Sequence, residues 1–340
     1  MTNRDEFVIG DRQLGRNGRT TSAMGIGTWA IGGPFTFNDR AAGWGDIDDA
    51  ESIRMIHAAV DEGVRLFDTA DVYGTGHSER VIGRALASLP PAVRDEVTVA
   101  TKFGLVFDEA TRSGGGEDVT PEAIRRACHA SLGRLGVESI DLYQLHGGVS
   151  TRTEAGAVVA VLDSLVAEGL VREFGTSSDA PEIQKAFAES PNARTVQSQV
   201  NVFGRQDDVL TAADEHGFAV LARSPLAMGL LTGKYDVANR PADTDVRRDT
   251  PYWTYFDDDA MDDWLARLAS VRDLLTDGGR TLAQGCIAYL WGLHPAIIPL
   301  PGARTVEQAT ENARAMRHGP LDATAVKQID ELLADSPERH

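Results

Sequence analysis

The chain has 340 residues, 51 acidic and 33 basic, for a formal charge of −18, and 42% are hydrophobic. That hydrophobic fraction supplies a full globular core, and the charge balance disfavours a broad cationic face for nucleic acid or an anionic membrane, while leaving room for a local cationic pocket. Two cysteines, Cys128 and Cys286, form no Cys-x-x-Cys pair and no disulfide framework, which points to a reducing compartment.

The N-terminal "MTNRDEFVIGDRQ" is charged and lacks the apolar run of a signal peptide. No apolar segment approaches membrane-spanning length. The expected location is the cytoplasm, with no membrane partner; self-association into a homo-oligomer is left open.

Short apolar runs alternate with helix-period segments along the chain. "SAMGIGTW" (22–29) is followed by a helix pattern at 48–62 that begins with acids and ends at Gly63. "VRLFDTA" (64–70) precedes a helix at 79–88, and "VTVATKFG" (97–104) precedes "TPEAIRRACHASLGRLG", with Thr120 as N-cap and Pro121 in the first turn. "IDLYQLHG" (140–147) leads to 153–168, "VREFGTSS" (171–178) to 181–190, and "TVQSQVNVF" (195–203) to 207–216. "FAVLARSPL" (218–226) is followed by 281–292, and "AIIPLPGA" (296–303) by 305–315 and 322–335.

None of these eight runs alternates strictly, as expected of strands buried on both faces of a parallel sheet. Eight strand–helix units without a composition break predict one domain over 1–340, a (β/α)8 or TIM barrel. A doubly wound sheet would need a split into two halves, and none is seen. Long loops are expected at about 104–118 and 236–260, each after a strand's C-terminal end, where barrels keep their sites.

Several motifs fail on context. "GIGTWA" (25–30) fits a loose dinucleotide fingerprint, but "IGGP" follows where a helix must open. "GLLTGKY" (229–235) is too short for a phosphate loop and has Tyr235 where a magnesium-binding hydroxyl belongs. No ligand cluster points to a metal.

The chemistry-bearing residues sit at the ends of apolar runs. Asp68 ends the second run, with Tyr73 in the loop beyond; Lys102 ends the third and His146 the fourth. Barrel geometry brings such ends to one rim. Singly, Asp68 reads as a cap, Tyr73 as packing, Lys102 as a snorkelling cation and His146 as a core histidine. Together they form a proton-handling set. A phenol has a pKa of about 10, too high for an efficient acid near neutrality, and a lysine cation lowers it while an aspartate holds the lysine charged. A histidine would then fix the carbonyl oxygen that the phenol protonates, as reduction of a carbonyl requires. "PGAR" leads into a helix near Thr305, where backbone N–H groups and Arg304 would converge on an anion.

"FDTADVYG", "ATKFG" and "DLYQLHG" resemble, in order, the active-site strings of the aldo-keto reductases, within the branch of potassium-channel β subunits and bacterial aldehyde or sugar reductases. The resemblance runs from "GIGTWAIGG" to "IPLPGARTVEQATEN". It implies that Tyr73 is the general acid, Lys102 lowers its pKa, Asp68 supports Lys102, and His146 orients a small-molecule carbonyl substrate. It also implies NADPH as the hydride donor. Gly302, Arg304, Gln308, Glu311 and Asn312 would hold the adenosine phosphate end, and Ser177, Ser178 and Gln197 the nicotinamide amide. Arg223, Ser224, Pro225, Leu226 and Lys234 would line the nicotinamide face and pyrophosphate, with Thr28 and Trp29 closing the rim. Arg223 stands where the family usually has an aromatic ring, and Ser178 replaces a frequent asparagine.

Trp29, Tyr73, Phe103 and Tyr252 or Trp253 would line an aromatic pocket for a small aldehyde or sugar; core or lid packing accounts for them equally. Two other functions compete. One is an aldolase using Lys102 as a Schiff-base nucleophile; the other is a cofactor-loaded regulatory protein with little turnover.

Overall fold

Every apolar run contributes a strand to one parallel sheet. The strands are β1 (Ile26–Gly27), β2 (Leu66–Asp68), β3 (Thr98–Phe103), β4 (Ile140–Leu145), β5 (Val171–Thr176), β6 (Ala193–Gln199), β7 (Ala219–Arg223) and β8 (Ile297–Pro299). The computed structural model describes residues 8–242, 245–248, 250 and 252–339. Each strand pairs with the next in sequence. The ends then join: the Gly25 and Gly27 N–H groups donate to the carbonyls of Pro299 and Pro301 at 2.9 and 3.0 Å, and Gly27 bridges Gly302. The result is a closed (β/α)8 barrel. Closure demands close approach at Gly25, where an added Cβ would lie 2.9 Å from the Leu66 carbonyl and 2.7 Å from the Leu300 side chain.

The barrel interior explains why polar strand ends converge. Leu14, Leu66, Ala100, Leu142, Ala219, Leu221, Ile298 and Leu300 form one buried cluster inside it. Two residues further along their strands stand Asp68, Lys102, Gln144 and Arg223, turned to the same face by the two-residue period of a strand. An apolar floor therefore carries a polar layer at the C-terminal end. Leu14 comes from a small hairpin, Arg12–Gln13 paired with Thr20–Thr21, that plugs the opposite end.

The helices cover the sheet where the sequence places them: α1 (Asp49–Asp61), α2 (His77–Ala87), α3 (Pro121–Leu135), α4 (Arg152–Ala167), α5 (Pro181–Ala188) and α6 (Asp207–His216). Thr120 does cap α3, accepting the Ala123 N–H. A 16-residue helix, α7 (Met261–Thr276), was not anticipated, although Trp264, Leu268, Val271 and Leu275 recur at helical spacing and are buried. The helices α8 (Leu282–Leu293), α9 (Val306–Ala313) and α10 (Ala323–Leu332) follow, and a single short helical turn, Pro91–Arg94, precedes β3. Among the described residues no helix is long and apolar enough to cross a membrane.

The excursion at 104–118 is ordered differently from a loop. Leu105–Asp108 and Ser113–Glu117 pair antiparallel and extend Thr36–Phe37 and Arg40–Ala41 into a four-stranded sheet beside the barrel mouth. The glycine run that reads as a turn permits this pairing, because a Cβ on Gly114 would stand 2.8 Å from the Val106 carbonyl. In the 236–260 segment, residues 243, 244, 249 and 251 lie outside the described residues; Trp253, Tyr255 and Phe256 are buried against the body.

Candidate active site

Asp68, Lys102, Gln144 and Gln197 reach into the barrel mouth from four strands and bind one another. Lys102 Nζ donates to Asp68 Oδ2 at 2.6 Å and to the Thr69 carbonyl at 2.7 Å, and lies 3.4 Å from the Tyr73 hydroxyl. The amides of Gln144 and Gln197 donate to Asp68 Oδ1 at 3.1 and 2.8 Å. Lys102 is fully buried and Asp68 nearly so. A buried ion pair is tolerated only when its remaining hydrogen-bonding capacity is met, and the two amides meet it for Asp68. Gln144 was missed because it does not titrate; it lies two residues before His146 on an inward-facing row.

Tyr73 is fixed by its loop. The Thr69 N–H donates to the Ala100 carbonyl at 2.8 Å, and the Ser78 hydroxyl links Thr69 to Thr28. Glu79, at the start of α2, accepts Thr101 Oγ1 and Arg134 Nε, both at 2.6 Å, clamping the Tyr73 loop to the strand that carries Lys102. Gly74 has φ +60°, and a Cβ there would lie 1.8 Å from the Gly32 carbonyl. The Tyr73 ring stacks on Trp29, centroids 6.0 Å apart, and meets His146 edge-on, also at 6.0 Å.

Burial raises the Tyr73 phenol above its ordinary value; Lys102 opposes that rise and Asp68 adds to it. This corrects the expectation of a depressed phenol: Lys102 acts in the expected direction, but desolvation outweighs it in the chain alone. For Lys102 burial pulls downward, yet Asp68 and Tyr73 more than offset it, so the amine stays charged. His146 is pushed well below its usual range by burial, then by Lys102 and Arg223. It is neutral near pH 7, and its Nδ1 is buried without a partner.

These groups open into a cleft of about 1770 Å³. Thr28, Trp29, Ser177, Gln197 and Arg223 line it near Tyr73 and His146. Ser224, Pro225, Leu226 and Lys234 form the next wall, and Gly302, Arg304, Gln308, Glu311 and Asn312 the far end. Ser178 does not line the cleft: its hydroxyl accepts the Ala180 N–H at 3.3 Å and its carbonyl accepts Gln184, both at the start of α5. Its neighbour Asp179 faces the cleft instead. Phe103 is also a correction, fully buried against Tyr143 at 4.5 Å and absent from the lining. Trp253 does reach the mouth, 6.3 Å from Trp29, while Tyr252 is exposed on the rim. His77 bonds Asp49 at 2.8 Å, away from the cleft.

The far end is more occupied than "PGAR" implied. Arg304 donates to the carbonyls of Trp44 at 2.8 Å and Asp46 at 2.6 Å, tying down the segment after β1. The Val306 N–H, first of α9, donates to Glu51 Oε1 at 3.1 Å. The chain's own carboxylate thus takes the anion position predicted there. Trp44, Glu51, Gln199 and Glu338 are cleft residues that no local pattern in the sequence marks.

Comparison with known proteins follows the same outline. The model of the Aldo/keto reductase family matches residues 23–334. The chain is 31% identical over 334 residues to the NADH-specific methylglyoxal reductase of Escherichia coli (strain K12), covering 94% of this chain and 98% of that protein. It is 34% identical to a glycerol dehydrogenase of Gluconobacter oxydans of known structure, with a TM-score of 0.80 over 97% of this chain and 96% of that one. An aldo-keto reductase of Klebsiella pneumoniae solved in complex with NADPH shares the fold, at 23% identity, a TM-score of 0.67 and 98% coverage of both chains.

Proposed function

The chain belongs to the aldo/keto reductase family, an oxidoreductase family acting on carbonyl groups, and on that premise we propose that it reduces a small aldehyde, ketone or sugar with Tyr73 as the proton donor. One observation carries the reading: a buried, charged Lys102 ammonium lies 3.4 Å from the Tyr73 hydroxyl at the mouth of a cleft.

A carbonyl oxygen at that mouth would accept from Tyr73 and from neutral His146. As the proton leaves, Lys102 stabilises the phenolate, and Asp68, held by Gln144 and Gln197, keeps the ammonium in place. The hydride is supplied by a nicotinamide dinucleotide. The cleft residues fit such a group: Lys234 and Arg304 line the cleft and would supply cations for its phosphates, and Gly302 would hold its backbone beside them. We take NADPH as the donor, with Arg304 and Lys234 holding its phosphates.

Two features oppose the aldolase alternative. Lys102 Nζ is fully buried and held above its ordinary pKa, whereas a Schiff-base lysine must be neutral and reach the substrate. A regulatory protein would need cofactor binding but not the assembled donor set. The test is consumption of NADPH with a panel of aldehydes, ketones and sugars by wild type and Tyr73→Phe. A loss of turnover of at least about a hundredfold with unchanged NADPH affinity is expected; equal turnover in both proteins would refute the assignment.

A further inference from the structure

Arg223 takes no part in the proton transfer described above. It ends β7, two positions beyond the inward-facing Leu221, so it rises from the barrel interior into the mouth. Its guanidinium is held loosely: Nη1 donates to Gln199 Oε1 at 3.3 Å, Nη2 lies 3.5 Å from Asp179 Oδ2, and 38% of the side chain is exposed. Gln199 is braced in turn, donating to the Tyr255 hydroxyl at 3.2 Å and facing Glu338 at 3.5 Å. A positive charge is therefore positioned in the same cleft as Tyr73 and His146, and both feel it.

The proton donor fixes where the hydride must arrive. When Tyr73 gives its proton to the carbonyl oxygen, the carbon one bond away accepts hydride with its electron pair, yielding alcohol, phenolate and the oxidised cofactor. A nicotinamide ring bound in this cleft would supply that hydride, and Arg223, which lines the cleft with Tyr73 and His146, would be among the residues beside it. That ring is neutral when reduced and carries one positive charge when oxidised. A fixed guanidinium beside it opposes the oxidised form and leaves the reduced form nearly unaffected.

We propose that Arg223 selects the redox state of the bound cofactor, weakening NADP+ relative to NADPH. This inference rests on the carbonyl-reductase reading. The overall equilibrium of the reaction is unchanged; what moves is the ratio of the two dissociation constants. The chain loads with reduced cofactor and releases the oxidised one readily, which suits a reductase working where both forms are present. The cost falls on hydride transfer, during which the ring becomes positive. Asp179 tempers the effect by partly compensating the guanidinium.

The test is the pair of dissociation constants for NADPH, from its fluorescence, and NADP+, from calorimetry, in wild type, Arg223→Gln and Arg223→Lys. In Arg223→Gln the ratio Kd(NADP+)/Kd(NADPH) should fall about tenfold, the size of one partly screened charge. Arg223→Lys, which keeps the charge, should leave the ratio near the wild-type value. Asp179→Asn, which frees the guanidinium, should widen it, and this variant keeps the test independent of how Arg223→Gln folds. An unchanged ratio in Arg223→Gln, or a narrower one in Asp179→Asn, would overturn the selector role while leaving the dinucleotide site standing. Failure of wild type to bind either dinucleotide would overturn this inference and the reductase reading together.

Discussion

Replacing Lys102 with methionine keeps an unbranched side chain one atom shorter and removes its charge. At the 3.4 Å separation seen here, a unit charge stabilises the Tyr73 phenolate by about 5 kcal/mol at an effective dielectric of 20 and by about 1 kcal/mol in bulk water. Tyr73 is half-buried, so the value lies between these, or about one to three pKa units. Lys102→Met should therefore raise the phenol further and lower kcat about ten- to a thousandfold. Stability should fall as well, because Asp68 loses its cation while remaining buried; breaking such a pair costs about 3–5 kcal/mol. The amides of Gln144 and Gln197 still reach Asp68, which places the loss at the low end. Adding Asp68→Asn should restore part of the stability but none of the activity. Tyrosinate absorbance, taken as the difference from Tyr73→Phe, reports the phenol directly, and urea unfolding reports stability. If Lys102→Met left the Tyr73 titration unchanged, the electrostatic account of the proton donor would be wrong.

Glu51→Gln keeps an acceptor for the Val306 N–H but drops the charge, so NADPH should bind several-fold tighter relative to NADH in fluorescence titrations; a fall would refute competition between Glu51 and a phosphate. Arg304→Ala should weaken both dinucleotides, NADPH more, because it removes a cation and also unties the carbonyls of Trp44 and Asp46. His146 has a folded pKa well below the unfolded value of about 6.5. The unfolded chain therefore binds the extra proton, and stability is lost as pH falls below about 6.5, by up to about 1.4 kcal/mol per pH unit. Urea unfolding at mildly acidic and neutral pH should show a shallower pH dependence in His146→Gln, and equal slopes would argue against a neutral histidine. Gly74→Ala must push the Tyr73 loop away from the Gly32 carbonyl; kcat should drop with dinucleotide affinity retained, and an unaffected kcat would show that the loop's placement is not limiting.

The barrel was legible because parallel strands buried on both faces appear as apolar runs, and each polar residue that interrupts one is conspicuous. Asp68, Lys102 and His146 stand out in this way, Lys102 most of all, since a strand end that faces the barrel interior is an unusual place for a lysine. Gln144 and Gln197 sit in equivalent rows, but an amide reads as ordinary polarity until its carboxylate partner is seen. The contact of Glu51 with Val306 spans 255 positions, and nothing near Glu51 distinguishes it from a helix-starting acid. Glu338 reaches the Tyr255 hydroxyl across 83 positions. The 105–117 hairpin was hidden for the opposite reason: its glycines permit close pairing and resemble a turn.

The vertical order inside the barrel decides what Lys102 can do. Ala100 lies on the apolar floor, Lys102 one step above it, and Tyr73 covers the ammonium from the cleft side. Its three hydrogen-bonding directions are spent on Asp68, the Thr69 carbonyl and Tyr73. A substrate entering the cleft therefore meets the phenol and the imidazole, never the amine. The lysine can act only through the charge it places beneath the phenol, and Asp68 and its two amides hold that charge there at a depth where an unpaired ammonium would lose its proton. Arg223 places a second cation in the same mouth but in partial solvent, held by Asp179 and Gln199 at longer range. On the proposed mechanism two cations of like sign would divide by position: one below Tyr73 that would favour its phenolate, and one in the same mouth that would oppose positive charge in whatever is bound against the carbonyl.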